Sequence, residues 1–153
     1  MKNNKKRNYL QGVFKPLNPE KYKGTYPIIY RSGLELRYFR FLDQSKSILT
    51  WSSESVIIPY HNPLTGRTHR YFIDNTATMR DPKTGNIVKY LIEIKPHSKL
   101  QPPSTSSKRS PKNTVYLQKE YVQNKAKWTA ASQWSDKHGY KFLILTEKNI
   151  TPT

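Results

Sequence analysis

Ten acidic residues stand against 27 lysines and arginines in this 153-residue chain, so an acid held beside an apolar segment is a candidate for chemistry. Three meet that description: Glu35, Asp74 and Glu93. Lys95 follows Glu93 by two positions, at the end of the apolar run Tyr90-Leu91-Ile92. Side chains two apart on a strand share a face, so Glu93 and Lys95 are expected to project together. Asp74 ends the preceding strand-like segment, and a hairpin in simple register brings it to the same end of the sheet. Two carboxylates beside a lysine suit metal-assisted hydrolysis of a phosphodiester. Carboxylate oxygens are hard ligands for Mg²⁺, which keeps several waters and takes phosphate oxygens in its remaining positions. Such a metal lowers the pKa of a bound water and offsets charge in the transition state. A lysine there orients the water or stabilises the same charge. An E-x-K triplet is common in a lysine-rich chain, and its bland reading is a pair of solvated charges at a strand edge.

The elements that must position these residues follow from the patterning. Leu34, Tyr38, Phe41 and Leu42 recur at helical spacing within RSGLELRYFRFLDQS, with Ser32 as N-cap and Glu35 in the place of a capping-box acid. Segments Ile48 to Trp51, Val56 to Tyr60, Thr68 to Asp74 and Ile87 to Lys95 read as strands, with Thr76 to Met79 continuing the third. HNPLTGR and DPKTGN are turns, so a meander with hairpin-length links is expected. Thr114 to His138 reads as the longest helix, with Leu117, Tyr121, Trp128, Ala131 and Trp134 on its inner face and Gly139 as its stop. Lys141 to Glu147 reads as a last strand. The fold class expected is α/β (α+β): a central mixed β-sheet flanked by helices.

The remaining chain is basic and polar. Residues 1–26 hold seven Lys or Arg against one Glu and read as a flexible arm before a single domain over 27–150. Residues 96–113 hold four prolines, five serines and no acid, which reads as a mobile basic loop. The net charge of 27 − 10 = +17 points to a polyanion, with nucleic acid the commonest. Candidate backbone contacts are Arg70, on the strand face shared with Phe72 and Asp74, and Lys99, Lys108, Arg109 and Lys112 in the loop. Lys125 and Lys127 on the long helix are candidates too, against the plain alternative of a solvated helix face. His69, Trp128 and Trp134 read as structural. The chain has no cysteine, which excludes disulfides, thiol catalysis and cysteine-bound zinc. No apolar run approaches the roughly 20 residues that span a bilayer. The start MKNNKKRNYL has no apolar stretch, so no secretory signal is expected.

The runs YRSGLE, WSSESVIIPY, HRYFID and EIKP, in that order, resemble the PD-(D/E)XK nuclease superfamily. They are most similar to its TnsA-like branch and to the head-completion nucleases of T-even-type phages. The resemblance covers residues 21 to about 148, apart from the Ser/Pro loop. It implies a restriction-endonuclease-like core and divalent-metal-dependent cleavage of DNA, with Mg²⁺ as cofactor and Mn²⁺ as a substitute. It implies Glu35, Asp74, Glu93 and Lys95 as catalytic residues, with Asp74, Glu93 and the Ile94 carbonyl as metal ligands. It also implies a part in finishing the packaged head, beside head or portal proteins, in the host cytoplasm or the virion. Two departures stand out: Ile73 where the motif usually has proline, and polar Asn75 where the phage pattern is apolar. Two alternatives share the same features. One is a non-catalytic DNA-binding protein of the head; the other is a Holliday-junction resolvase of the same superfamily.

Overall fold

The computed structural model describes residues 10–104 and 108–150. Its strands and helices, in chain order, begin with β1 (Gly12–Phe14), β2 (Ile28–Tyr30), α1 (Gly33–Gln44), β3 (Ile48–Ser53) and β4 (Ile57–Asn62). They continue with β5 (Arg67–Phe72), β6 (Asn75–Arg80), β7 (Ile87–Ile94), α2 (Pro111–His138) and β8 (Tyr140–Leu145). Short 3-10 turns lie at Pro19–Lys21, His97–Leu100 and Glu147–Asn149.

Local chemistry sets the helix ends. The Ser32 hydroxyl accepts the Glu35 N–H at 3.1 Å at the start of α1, satisfying one of the orphan donors of a first turn. Ser110 does the same for Asn113 at 3.1 Å, with Pro111 in the first turn of α2, where its missing N–H costs nothing. Gly139 ends α2 at φ 73°, a left-handed conformation that glycine adopts without a Cβ clash.

The central sheet has the order β3-β6-β7-β8. β3 with β6 and β6 with β7 are antiparallel, and β7 with β8 is parallel. The parallel pair needs a crossover, and α2 supplies it. Alternation along β7 divides the core in two. Ile92 and Ile94 join the cluster of Phe14, Tyr38, Phe39 and Trp51 on the α1 side. Leu91 joins Ile58, Tyr71, Ile73 and Ala131 on the α2 side. The sheet is mixed and covered by a helix on each face, the expected α/β architecture of a restriction-endonuclease-like core.

Several expectations are corrected. The strands are not a sequential meander. β4 and β5 form their own two-stranded hairpin, inserted between β3 and its partner β6. Burying Ile58, Tyr60 and Tyr71 against α2 turns this hairpin away from the sheet edge. Thr76 to Met79 therefore belongs to a new strand in a different sheet and does not continue the third strand. On α1, Phe39 is buried at 2% exposure while Phe41 is 44% exposed, because residues 38, 39 and 42 make the stripe that meets β3. The described part of the segment expected as an arm is woven into the fold. Phe14 and Tyr22 pack around Trp51, with ring centroids 5.9 and 4.8 Å away. The fully buried Asp43 accepts the N–H groups of Leu17 and Asn18 at 2.8 and 3.0 Å, which ties the segment to α1. Residues 1–9 lie outside the described residues. The segment expected as a loop over 96–113 contains a 3-10 turn and the first residues of α2.

Candidate active site

Asp74 sits where the β4–β5 hairpin returns to the sheet. The Ile73 N–H donates to the Val56 carbonyl at 3.0 Å and the Glu54 N–H to the Asp74 carbonyl at 3.1 Å. These two bonds clasp the chain on both sides of the crossing. Asn75, directly after it, is fully buried, and its amide donates to the Ser52 carbonyl at 3.1 Å. The polar residue at that place thus fastens the start of β6 to β3. The last β6–β7 pair is Asn75 with Ile92, which leaves Asp74 beside the end of β7. Its Oδ2 accepts the Ile94 N–H at 2.8 Å. The N–H and C=O of a strand residue point to the same side, so the Ile94 carbonyl also faces Asp74, beyond the last strand pair.

Glu93 and Lys95 share the β7 face that looks toward α2, as their spacing predicts. Lys95 Nζ lies 3.6 Å from Glu93 Oε1, with the Glu93 side chain 6% exposed and that of Lys95 29% exposed. The other carboxylate oxygen, Oε2, accepts a hydrogen bond from the Tyr71 hydroxyl. Lys127 enters from α2, its Nζ 5.4 Å from the centre of the Tyr71 ring and 5.9 Å from that of Tyr60. Gln123, one turn earlier, donates to the Tyr60 hydroxyl at 2.9 Å.

Glu35 reaches this cluster through its field rather than by contact. Its Oε2 accepts the Arg31 N–H, one residue before the cap that a capping box predicts. Arg31 is in turn ion-paired with Glu54, at the non-glycine residue with positive φ (51°) after β3.

The electrostatics follow the burial. Desolvation, then the charge of Glu93, pushes the Asp74 carboxyl well above the usual carboxylate range, against the Ile94 N–H bond. Glu93 is also pushed up, chiefly by burial, opposed by the Tyr71 hydroxyl, Lys95 and Lys127. Burial raises Glu35 too, with the Arg31 N–H and charge opposing it. Lys127 is lowered by burial and then by Lys95, with Glu93 and Asp74 pulling the other way. Two carboxylates thus share a site in which each disfavours the charge of the other.

That excess of negative charge is what a divalent cation neutralises. Among the described residues, no three His, Asp or Glu side chains are placed to hold a metal together. The available donors are the carboxylates of Asp74 and Glu93 and the Ile94 carbonyl. An all-oxygen set of so few ligands suits Mg²⁺, which retains several waters.

The other expected contacts are scattered. Arg70 is exposed on β5, its guanidinium 5.5 Å from the centre of the Phe72 ring. Lys99 is paired with Glu120 at 2.7 Å. Arg109 donates to the Ser104 carbonyl at 2.6 Å. Lys108, Lys112 and Lys125 are exposed. Lys125 and Lys127 are two positions apart on a helix and so point to different sides; Lys127 alone joins the carboxylates. Tyr71 escaped the sequence reading, which set it on the strand face opposite Asp74. Its one available signal was a tyrosine among the apolar residues before the acid.

This geometry coincides with a recognised sequence pattern. Residues 45–147, which contain Asp74, Glu93, Lys95 and Lys127, match the TnsA-like endonuclease N-terminal family. The head completion nuclease of Enterobacteria phage T4 is 37% identical over 146 residues, covering 91% of this chain and 92% of that protein. With both the carboxylate–lysine cluster and the sequence match spanning the core, the chain belongs to the TnsA-like endonuclease family.

Proposed function

We propose that this chain is a Mg²⁺-dependent endonuclease that hydrolyses DNA phosphodiesters during completion of the phage head. The observation that carries the reading is the meeting of Asp74, Glu93 and Lys95 at the open ends of β6 and β7. The likeness to a protein named head completion nuclease supports the biological setting, with action in the host cytoplasm or the virion and head or portal proteins as partners. Mn²⁺ substitutes as another hard cation. Asp74, Glu93 and the Ile94 carbonyl would hold the metal. Bound there, a divalent metal would supply an activated water and offset charge on the phosphate.

The chain's own groups do the rest. Tyr71 fixes one oxygen of Glu93 and so leaves the other to the open side. Lys95, partly exposed beside that oxygen, reaches the scissile phosphate and stabilises the charge that develops there. Glu35 adds negative potential from the start of α1, which favours a cation in the site. Arg70, Lys108, Lys112 and Lys125 hold the backbone at the periphery without reading bases.

The test is nicking of supercoiled plasmid with Mg²⁺, Mn²⁺ or EDTA. Wild type is expected to nick with either metal and to stop in EDTA. Asp74→Ala and Glu93→Ala are expected to lose at least about 100-fold in rate, with plasmid binding retained. Equal nicking by wild type and both variants in pure preparations overturns the assignment.

A further inference from the structure

A cavity of about 350 Å³ opens between the 3-10 turn His97–Leu100 and α2, within the size range of small-ligand pockets. The chain ties it to the carboxylate site at two points. The turn starts two residues after Lys95, and Asn124 in the cavity lies three residues before Lys127, the spacing of neighbours on one helix face. The deep end is Asn124, 4% exposed. Its side-chain amide makes no hydrogen bond to another described residue and is not one of the fully buried unpaired polar atoms, so it is open to a partner in the cavity. Tyr121 and Leu117 are half-buried and wall the cavity, and the exposed Gln101 and Pro102 are at its rim.

Of the two cations at the rim, one is neutralised by an ion pair. Lys99 is paired with Glu120 at 2.7 Å and Arg109 with the Ser104 carbonyl at 2.6 Å. The cavity presents apolar and aromatic walls with a donor–acceptor amide at the bottom, and the Arg109 guanidinium at its rim keeps its charge. A flat, neutral group with a polar edge fits that description, and a nucleobase is such a group. Every base has a π-face that stacks on an aromatic ring, and an asparagine amide pairs with a base edge through both of its polar atoms.

We propose that this cavity takes one unpaired nucleobase of the DNA beside the cut, with Asn124 pairing its edge and Tyr121 stacking on its face. The inference rests on the DNA nuclease reading. A base inside a duplex has neither its faces nor its pairing edge free, so the substrate class it defines is DNA with an unpaired segment next to duplex.

Binding in EDTA separates this proposal from catalysis. The full-length chain is titrated with a fully paired duplex and with the same duplex carrying a short single-stranded flap. 2-Aminopurine is set in turn at each flap position. Wild type is expected to bind the flapped DNA about 10-fold more tightly, the scale of one stacked base, with fluorescence quenched at one position. Asn124→Ala and Tyr121→Ala are each expected to lose most of that preference and the quenching. Tyr121 is partly exposed, so its variant decides the matter even where Asn124→Ala fails to fold. Equal affinity of wild type for both DNAs, or an undiminished preference in folded Tyr121→Ala, overturns the proposal. Failure of wild type to cut both plasmid and flapped duplex with Mg²⁺ or Mn²⁺, with the flap preference intact, would instead overturn the nuclease assignment and leave the pocket standing.

Discussion

Glu93 is the residue on which the site turns, because its two oxygens have different owners. One is bound by the Tyr71 hydroxyl and one lies near Lys95. The phenol is itself pushed far above the usual tyrosine range by burial and by the charge of Glu93, so it stays a donor throughout the working pH range. In the proposed site, a donor fixed in this way would orient the Glu93 carboxylate as outer-shell partners of metal ligands commonly do. Tyr71→Phe keeps the ring beneath Lys127 and removes only the donor. The expected result is a roughly 10- to 100-fold fall in cleavage rate and a higher Mg²⁺ requirement, with DNA affinity in EDTA unchanged. A Mg²⁺ titration of the nicking rate checks it; an identical curve for variant and wild type removes Tyr71 from the site. The approach of Asp74, Glu93 and Lys95 to one another was legible as sequence because each lies at or near the end of a strand-like run. Tyr71 was not, because strand alternation was carried through Ile73 and Asp74. The chain breaks there between β5 and β6, which belong to different sheets, so alternation on one side says nothing about facing on the other.

At the scale of elements, α1 is anchored at both ends of the domain. Asp43 near its C-terminal end holds the segment from Leu17 to Lys21. In its middle, the Tyr38 hydroxyl donates to the Thr146 carbonyl at 2.5 Å, just past β8. Burial raises the Tyr38 phenol from 10.0 to about 12. The folded state therefore holds this proton where the unfolded chain has lost it. The stability contributed by Tyr38 is complete below pH 10 and is lost as pH rises from about 10 to about 12. Tyr38→Phe is expected to be less stable at pH 8 by about 1 kcal/mol, one hydrogen bond. The gap to wild type should then narrow through pH 10 to 12 in urea melts, and a constant gap across that range contradicts the assignment. The helices and most strand positions were readable from periodicity and caps, since those signals are local. The β3–β6 pairing was not, because it joins segments separated by a whole hairpin. The anchoring of Phe14 and Tyr22 was equally hidden, as isolated aromatics in a lysine-rich stretch give no period.

For the molecule as a whole, the +17 charge and the acidic centre act on different steps. DNA binding through Lys and Arg releases condensed counterions, so affinity falls linearly with salt on a logarithmic plot. A protein that neutralises six to ten phosphates loses roughly 10³- to 10⁵-fold between 50 and 200 mM salt. That loss should be shared by wild type and Asp74→Ala, because the proposed role of this carboxylate is in the metal step and not at the periphery. Arg70 and Lys125 are both exposed and lie on different elements, which makes them independent probes of where the backbone runs. Arg70→Gln and Lys125→Gln should each reduce the slope by about 0.9, one phosphate apiece. The double variant should reduce it by the sum, since sites with no shared partner act additively. Fluorescence anisotropy with a paired duplex in EDTA, from low to moderate KCl, gives all five slopes. Unchanged slopes in both single variants place the DNA elsewhere on the surface. A slope altered in Asp74→Ala, with Arg70 and Lys125 silent, would mean that the acidic centre and not the basic periphery governs the encounter.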